Sequence, residues 1–241
     1  MIRIEFKKLK NSKLFLPIIL LPIFSVGYGT VNYYINREIL NLEWISLWTQ
    51  VYLFYGLIFF PALIGIVCAY IWNNEHKNNN FKLLFSSSKS FYNIILSKIC
   101  VVFIISFIIQ IYFLILFNIS GSFLNFNSQF PFEILYFIII INLFNISIIC
   151  IQCYLSLKIN SFAIPVALSI VYALLGMLAA AFAKIPELKY IFSNANMTFA
   201  MNHFPYKSFS KLEYFKMMTY NFLLTIFFIK LQVRELKNKL K

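Results

Sequence analysis

Five stretches of this chain contain no Asp, Glu, Lys, Arg or His: Leu14–Asn36, Trp44–Asn74, Ile99–Phe132, Ile134–Leu157 and Ile159–Ala183. An α-helix rises about 1.5 Å per residue, so about 20 residues cross a hydrocarbon core of about 30 Å. Every one of the five runs is long enough. Inside lipid the backbone must satisfy its own hydrogen bonds, which leaves helices as the structure for such runs. Composition agrees: 61% of residues are hydrophobic and only 12% are charged, against roughly 25% charged in ordinary soluble domains. The expected fold class is all-α, a polytopic membrane protein.

The runs place the first five spans near Leu14–Tyr34, Trp44–Trp72, Ile99–Phe117, Ile134–Leu157 and Phe162–Phe182. Trp44, Trp48 and Trp72 suit the membrane interface. Gly27 and Gly29 in the first span and the small residues of the fifth suit close helix packing. A sixth span is expected near Leu212–Val233, where Lys216 and Lys230 can snorkel to the two surfaces. Before it, segment 183–216 mixes lysines with aromatic and apolar residues. It is expected to form a helical hairpin in the outer leaflet. Met1–Lys13 carries Arg3, Lys7, Lys8, Lys10 and Lys13 around an apolar face of Ile2, Phe6 and Leu9. It reads as an amphipathic surface helix on an anionic leaflet, with membrane lipid as its partner. It also has the charge of a signal-peptide n-region. The following run is long for an h-region and lacks an A-x-A site, so an uncleaved first span is expected.

Charge fixes the expected orientation. One side holds 15 of the 21 basic residues, namely those of 1–13, 73–98, 158 and 230–241, and the richer side is cytoplasmic. Six spans then leave both termini inside. The chain is read as a single transmembrane domain, 1–241. The net charge of +13 is spent on these flanks, so nucleic acid is not an expected partner.

The longest polar insert on the basic side is 73–98. It carries Glu75, His76 and Lys82, with Phe81, Leu84 and Phe85 at helical i, i+3, i+4 spacing. Ser90 can cap the helix that follows. A short helix with one apolar stripe, hung between two spans, is a handle for a soluble partner or an amphipathic loop on the bilayer. The span residues Gln110, Asn142 and Asn145 are the polar candidates for a substrate path; interhelical hydrogen bonding is the plainer role for them.

Several chemistries lack their residues. There is no Walker A loop and no H-E-x-x-H. His76 and His203 fall on opposite sides, so no metal site is expected. Cys150 and Cys153 match C-x-x-C as C-I-Q-C within a span, but a redox or metal site needs a polar setting and further ligands. No pair of acids lies within a span, so catalytic residues are not expected and ion-coupled transport has no carrier.

The layout resembles the permeases of type-2 ABC transporters: a basic N-terminus, six spans, a polar helix between the second and third, and a hairpin before the last. Within these, W-x-x-E-x-x-x-N-x-F-K-x-L at Trp72, Glu75, Asn79, Phe81, Lys82 and Leu84 resembles the short permeases of lantibiotic-immunity transporters. A proline often found after this helix is replaced here by Ser86–Ser90. The resemblance implies a coupling helix in 73–98 whose Glu75, His76, Phe81, Lys82, Leu84 and Phe85 touch a separate ABC ATPase, with two ATPase copies and a second permease, either a copy or a paralogue. ATP and Mg would bind in the ATPase, with no cofactor in this chain. The implied activity removes an amphipathic, lantibiotic-like peptide from the cytoplasmic membrane; the bias toward Ile, Asn, Lys and Phe fits an AT-rich, Gram-positive source. The rival reading is a membrane sensor or scaffold that docks a soluble partner through 73–98.

Overall fold

The structure is a computed structural model that describes residues 1–10, 12–77, 80–86, 89–181, 188–192 and 210–240. Among the described residues all regular structure is helical: α1 (Ile2–Leu9), α2 (Phe15–Ile35), α3 (Glu43–Phe54), a π-helical turn at Tyr55–Phe59, α4 (Phe60–His76), α5 (Asn80–Ser86), α6 (Phe91–Phe123), α7 (Glu133–Lys158), α8 (Ala163–Ala181), α9 (Leu188–Ile191) and α10 (Lys211–Leu240). Among the described residues five helical stretches are long and apolar enough to cross a membrane: Phe15–Ile35, Glu43–His76, Phe91–Phe123, Glu133–Lys158 and Ala163–Ala181. They coincide with the five charge-free runs.

Pro61 explains the π turn. It has no N–H to donate to Leu57 and its ring crowds that carbonyl, so the α-helical ladder widens just before it. The helix continues on both sides, and Glu43–His76 remains one crossing. Ser90 accepts a hydrogen bond from the backbone N–H of Asn93 at 3.3 Å and caps α6, as its position before the apolar run predicts.

Lipid tails are as apolar as leucine, so helices in a bilayer associate through close packing and polar contacts. Aromatic rings fill one half of the bundle. Trp48 stacks on Tyr52 with centroids 4.7 Å apart, and Tyr55 stacks on Phe113 at 3.7 Å. Phe117 and Phe137 close the cluster against Trp48. Gly29 lets α2 approach α3: a Cβ there would stand 2.5 Å from the Val51 Cα. Gly27 has open space around it, so only one of the two expected glycines is needed for packing. Alongside Gly29, Ser25 Oγ donates to the Val51 carbonyl at 2.9 Å, and Asn32 donates to Gln50 at 2.6 Å.

α10 runs parallel to α7 along its full length. Tyr214 meets Tyr136, Asn221 donates to the Phe144 carbonyl at 2.6 Å, Phe228 packs on Tyr154 at 5.7 Å, and Lys239 reaches Asn160. The hairpin expected over 183–216 lies outside the described residues except for 188–192 and 210–216. Of that part, Tyr190 is buried and stacks on Tyr220 of α10.

Both ends of the described chain gather at one end of the bundle. α1 binds the last turn of α4 and the start of α6. Lys239 sits 5.3 Å above the Phe81 ring of α5, and His76 Nε2 lies 2.9 Å from the Ser156 carbonyl of α7. This is the basic end. At the opposite end Glu43 accepts from the backbone N–H groups of Asn127 and Ser128 and from the Ser128 hydroxyl, tying the α6–α7 loop to α3.

Candidate coupling site at the basic end

α5 has only two turns and cannot hold itself helical in water. Its underside holds it. Phe81 stacks on Trp72 with centroids 6.5 Å apart, meets the His76 ring edge at 5.1 Å and stacks on Phe85 at 5.8 Å. Phe85 continues to Phe91 of α6 at 5.9 Å, and Leu84 is buried between them and the bundle. Asn80 Nδ2 donates to the Asn74 carbonyl at 2.7 Å and fastens the start of the helix to the end of α4. The opposite face carries Lys82 and Leu83, and Leu83 is 71% exposed.

This geometry reassigns the apolar stripe. Phe81, Leu84 and Phe85 have the spacing expected of a partner contact, but they seat the handle on its own bundle. What α5 offers outward is Lys82 and Leu83. Asn79, the motif's eighth position, lies outside the described residues.

Glu75 is also turned inward. It is 2% exposed and belongs to a four-charge cluster that sequence reasoning did not find. Lys98 Nζ donates to Glu75 Oε1 at 2.7 Å and to Glu5 Oε2 at 2.8 Å. Lys8 Nζ donates to Glu75 Oε1 at 2.5 Å and to Glu5 Oε1 at 3.2 Å. The Lys98 ammonium, itself fully buried, lies 4.9 Å above the Trp72 ring. Two acids and two bases cancel, which is the condition for burying charge at all. Burial works to lower the Lys8 pKa. The hydrogen bond and charge of Glu75, with those of Glu5, outweigh it and hold the ammonium above the ordinary lysine value.

The cluster ties three elements at one point. α1 contributes Glu5 and Lys8, the last turn of α4 contributes Glu75, and α6 contributes Lys98. α5 hangs between the second and third of these. α5 is thus joined in the chain to the two helices, α4 and α6, that the ionic joint holds together, with α1 as its clasp. The sequence signal was present but ambiguous: Lys98 is the last charge before a long apolar run, which reads equally as an interface marker. Glu5 breaks the basic run of 1–13 at the position that faces the bundle.

The span residues divide differently. Asn142 Nδ2 donates to the Ile138 carbonyl of its own helix at 3.2 Å, and among the described residues its Oδ1 has no partner. Gln110 and Asn145 are fully buried, and no side-chain hydrogen bond reaches them among the described residues. The interhelical polar contacts to α7 from α10 are made by Asn221, and by Gln232 Nε2 to the Cys150 carbonyl at 3.2 Å. Cys68, Cys150 and Cys153 are buried in the bundle, and no group of three metal-ligating side chains occurs among the described residues.

A family model described as ABC-2 family transporter protein matches residues 1–176. The chain belongs to that family. The match takes in α1 through most of α8, so it includes the whole ionic joint and α5. It makes the chain an ABC-2 type permease, the transmembrane component of a family that generally works with an ATPase subunit. No curated protein and no solved structure gives a significant match. Multiple apolar helices and the family together place this permease in the cell membrane as a multi-pass protein.

Proposed function

We propose that this ABC-2 permease is the membrane half of an ATP-driven exporter that lifts an amphipathic, lantibiotic-like peptide out of the cytoplasmic membrane and so confers immunity or resistance. The basic end faces the cytoplasm, and α10 is a sixth crossing parallel to α7, which leaves both termini inside. The observation that carries the reading is the seating of α5. A two-turn helix with Lys82 and Leu83 outward is seated by Phe81 on the turn of α4 that bears the ionic joint, and by Phe85 on Phe91 of α6. An ATPase gripping that outer face would pull on α4 and α6 together. Two ATPases and a second permease complete the transporter, with ATP and Mg held by the ATPases.

The choice of substrate rests on what lines the spans. Within the five apolar helices the buried charges among the described residues are Glu75 and Lys98, both neutralised at the basic end. A hydrophilic ion would meet no compensating charge across the rest of the bilayer. An amphipathic peptide can keep its charge in water and expose only apolar groups to the helices. Gln110, Asn142 and Asn145 are the polar groups such a path would offer.

Cells expressing the permease with its ATPase should survive a pore-forming lantibiotic better than cells with a hydrolysis-dead ATPase. Cell-bound peptide should fall as peptide in the medium rises. Protection that persists without ATP hydrolysis would refute export and support the sensor reading.

A further inference from the structure

A groove of about 680 Å³ opens between α1, the start of α2 and the middle of α6. This is within the range of small-molecule sites, about 300–1,000 Å³. Its walls are apolar: Phe6 and Leu9 from α1, Phe15 and Ile18 from α2, and Ile105 and Ile108 from α6. Its rim is basic. Arg3 and Lys7 lie one turn apart on α1, and Lys10 is the residue that caps its end. All three are exposed and line the groove. The acid of α1, Glu5, is turned away into the ionic joint. Arg3, Lys7 and Lys10 enter no ion pair among the described residues. Ser12 adds a buried hydroxyl with no hydrogen-bond partner among the described residues, also on the wall.

The depth of the groove identifies its occupant. Lys98 marks the basic end of α6, and Ile108 lies ten residues further along the same helix, about 15 Å at 1.5 Å per residue. The groove therefore runs from a surface helix carrying three free cations down an apolar helix face into the bilayer. An anionic phosphate at the top joined to an acyl chain below matches that profile. We infer that this groove is a specific site for one anionic phospholipid, its phosphate held by Arg3, Lys7 and Lys10 and one acyl chain laid against Phe15, Ile18 and Ile108. The bound lipid fills the space under α1 and holds that helix against α6, so it supports the clasp of the ionic joint from the lipid side. The inference does not depend on which compound the permease moves.

The test uses the full chain in nanodiscs of equimolar phosphatidylglycerol and phosphatidylcholine with identical acyl chains, extracted into detergent and weighed by native mass spectrometry. One phosphatidylglycerol per chain should be retained in preference to phosphatidylcholine. Replacing Arg3, Lys7 and Lys10 by Gln together should reduce that preference roughly a hundredfold, at about fivefold for each cation removed near an anionic surface. These side chains are exposed, so this variant should fold like the parent. Ile108→Trp should fill the groove and expel either lipid. Equal retention of the two lipids, or a preference unchanged in the triple variant, would overturn the site. Displacement of the retained lipid by excess inorganic phosphate would also overturn it, by showing a plain anion site rather than a lipid site.

Discussion

Replacing Lys98 by Met should damage this protein more than any other single change at the basic end. Lys98 is fully buried and makes two ion pairs, to Glu75 at 2.7 Å and Glu5 at 2.8 Å. Without it two buried carboxylates share one ammonium, that of Lys8, which is about a third exposed. Removing one partner of a buried pair costs about 3–5 kcal/mol, mostly because the other charge is left uncompensated. Lys8→Met removes the more exposed cation, whose pairs solvent already screens, and should cost about 1 kcal/mol. The decisive variant is Lys98→Met with Glu75→Gln. It restores neutrality, since Glu5 and Lys8 remain, and should recover about 2 kcal/mol relative to the sum of the two single changes. Unfolding in mixed micelles, titrated with SDS and followed by tryptophan fluorescence, measures all four species; Trp72 lies beside the joint and reports on it. Small, additive effects of Lys98→Met and Glu75→Gln would refute the joint.

Four further outcomes follow from the same geometry. The Lys8 pKa is raised above its ordinary value of about 10.5, so its contribution to docking α1 is complete below that pH and is lost as pH climbs through the raised value; proteolytic release of α1 should set in only above about pH 10.5 and lose that pH dependence in Lys8→Met. Gly29→Ala should destabilise by about 1–3 kcal/mol through overpacking against Val51, while Gly27→Ala should stay within about 0.5 kcal/mol, both read by SDS unfolding. Cys68 Sγ and Cys153 Sγ are 3.5 Å apart, so a membrane-permeant oxidant should consume two thiols within one chain, detected by alkylation mass shift and abolished by Cys68→Ser. Phe81→Ala removes the ring that seats α5 on Trp72 and should make 77–90 more protease-sensitive while membrane insertion is unchanged.

The sequence and the structure agree where the physics is local. Charge-free runs of helical length are sufficient for a span, so five helices fall where the runs predict. Ser90 caps α6 for the same reason, since a cap needs only its own first turn. The reading was weaker where the answer depends on residues far apart in the chain. Glu5 and Lys98 are 93 residues apart, and nothing within either neighbourhood marks the other as its partner. Phe81, Leu84 and Phe85 share one face of α5, as their spacing requires. Periodicity says that such a face is covered; it does not say by what, and their own bundle covers it. Gly27 and Gly29 differ only in which one faces Val51. α10 escapes a hydropathy criterion because lysines interrupt it, yet its pairing with α7 gives it the same reach across the bundle. Asn142 and Asn145 share a face as their spacing requires, but the amides that join α10 to α7 are Asn221 and Gln232.

The central claim is that the outward face of α5 carries the ATPase contact. The direct test is peptide-stimulated ATP hydrolysis by the purified complex of permease and ATPase carrying Leu83→Asp. Leu83 is 71% exposed, so the variant should insert and fold normally. If α5 is the handle, a charge placed in an apolar partner cleft should abolish co-purification or reduce stimulated hydrolysis at least about tenfold, since losing a central contact costs about 2 kcal/mol or more. Unchanged assembly and unchanged stimulation in Leu83→Asp would contradict the claim and move the ATPase contact elsewhere on the basic end.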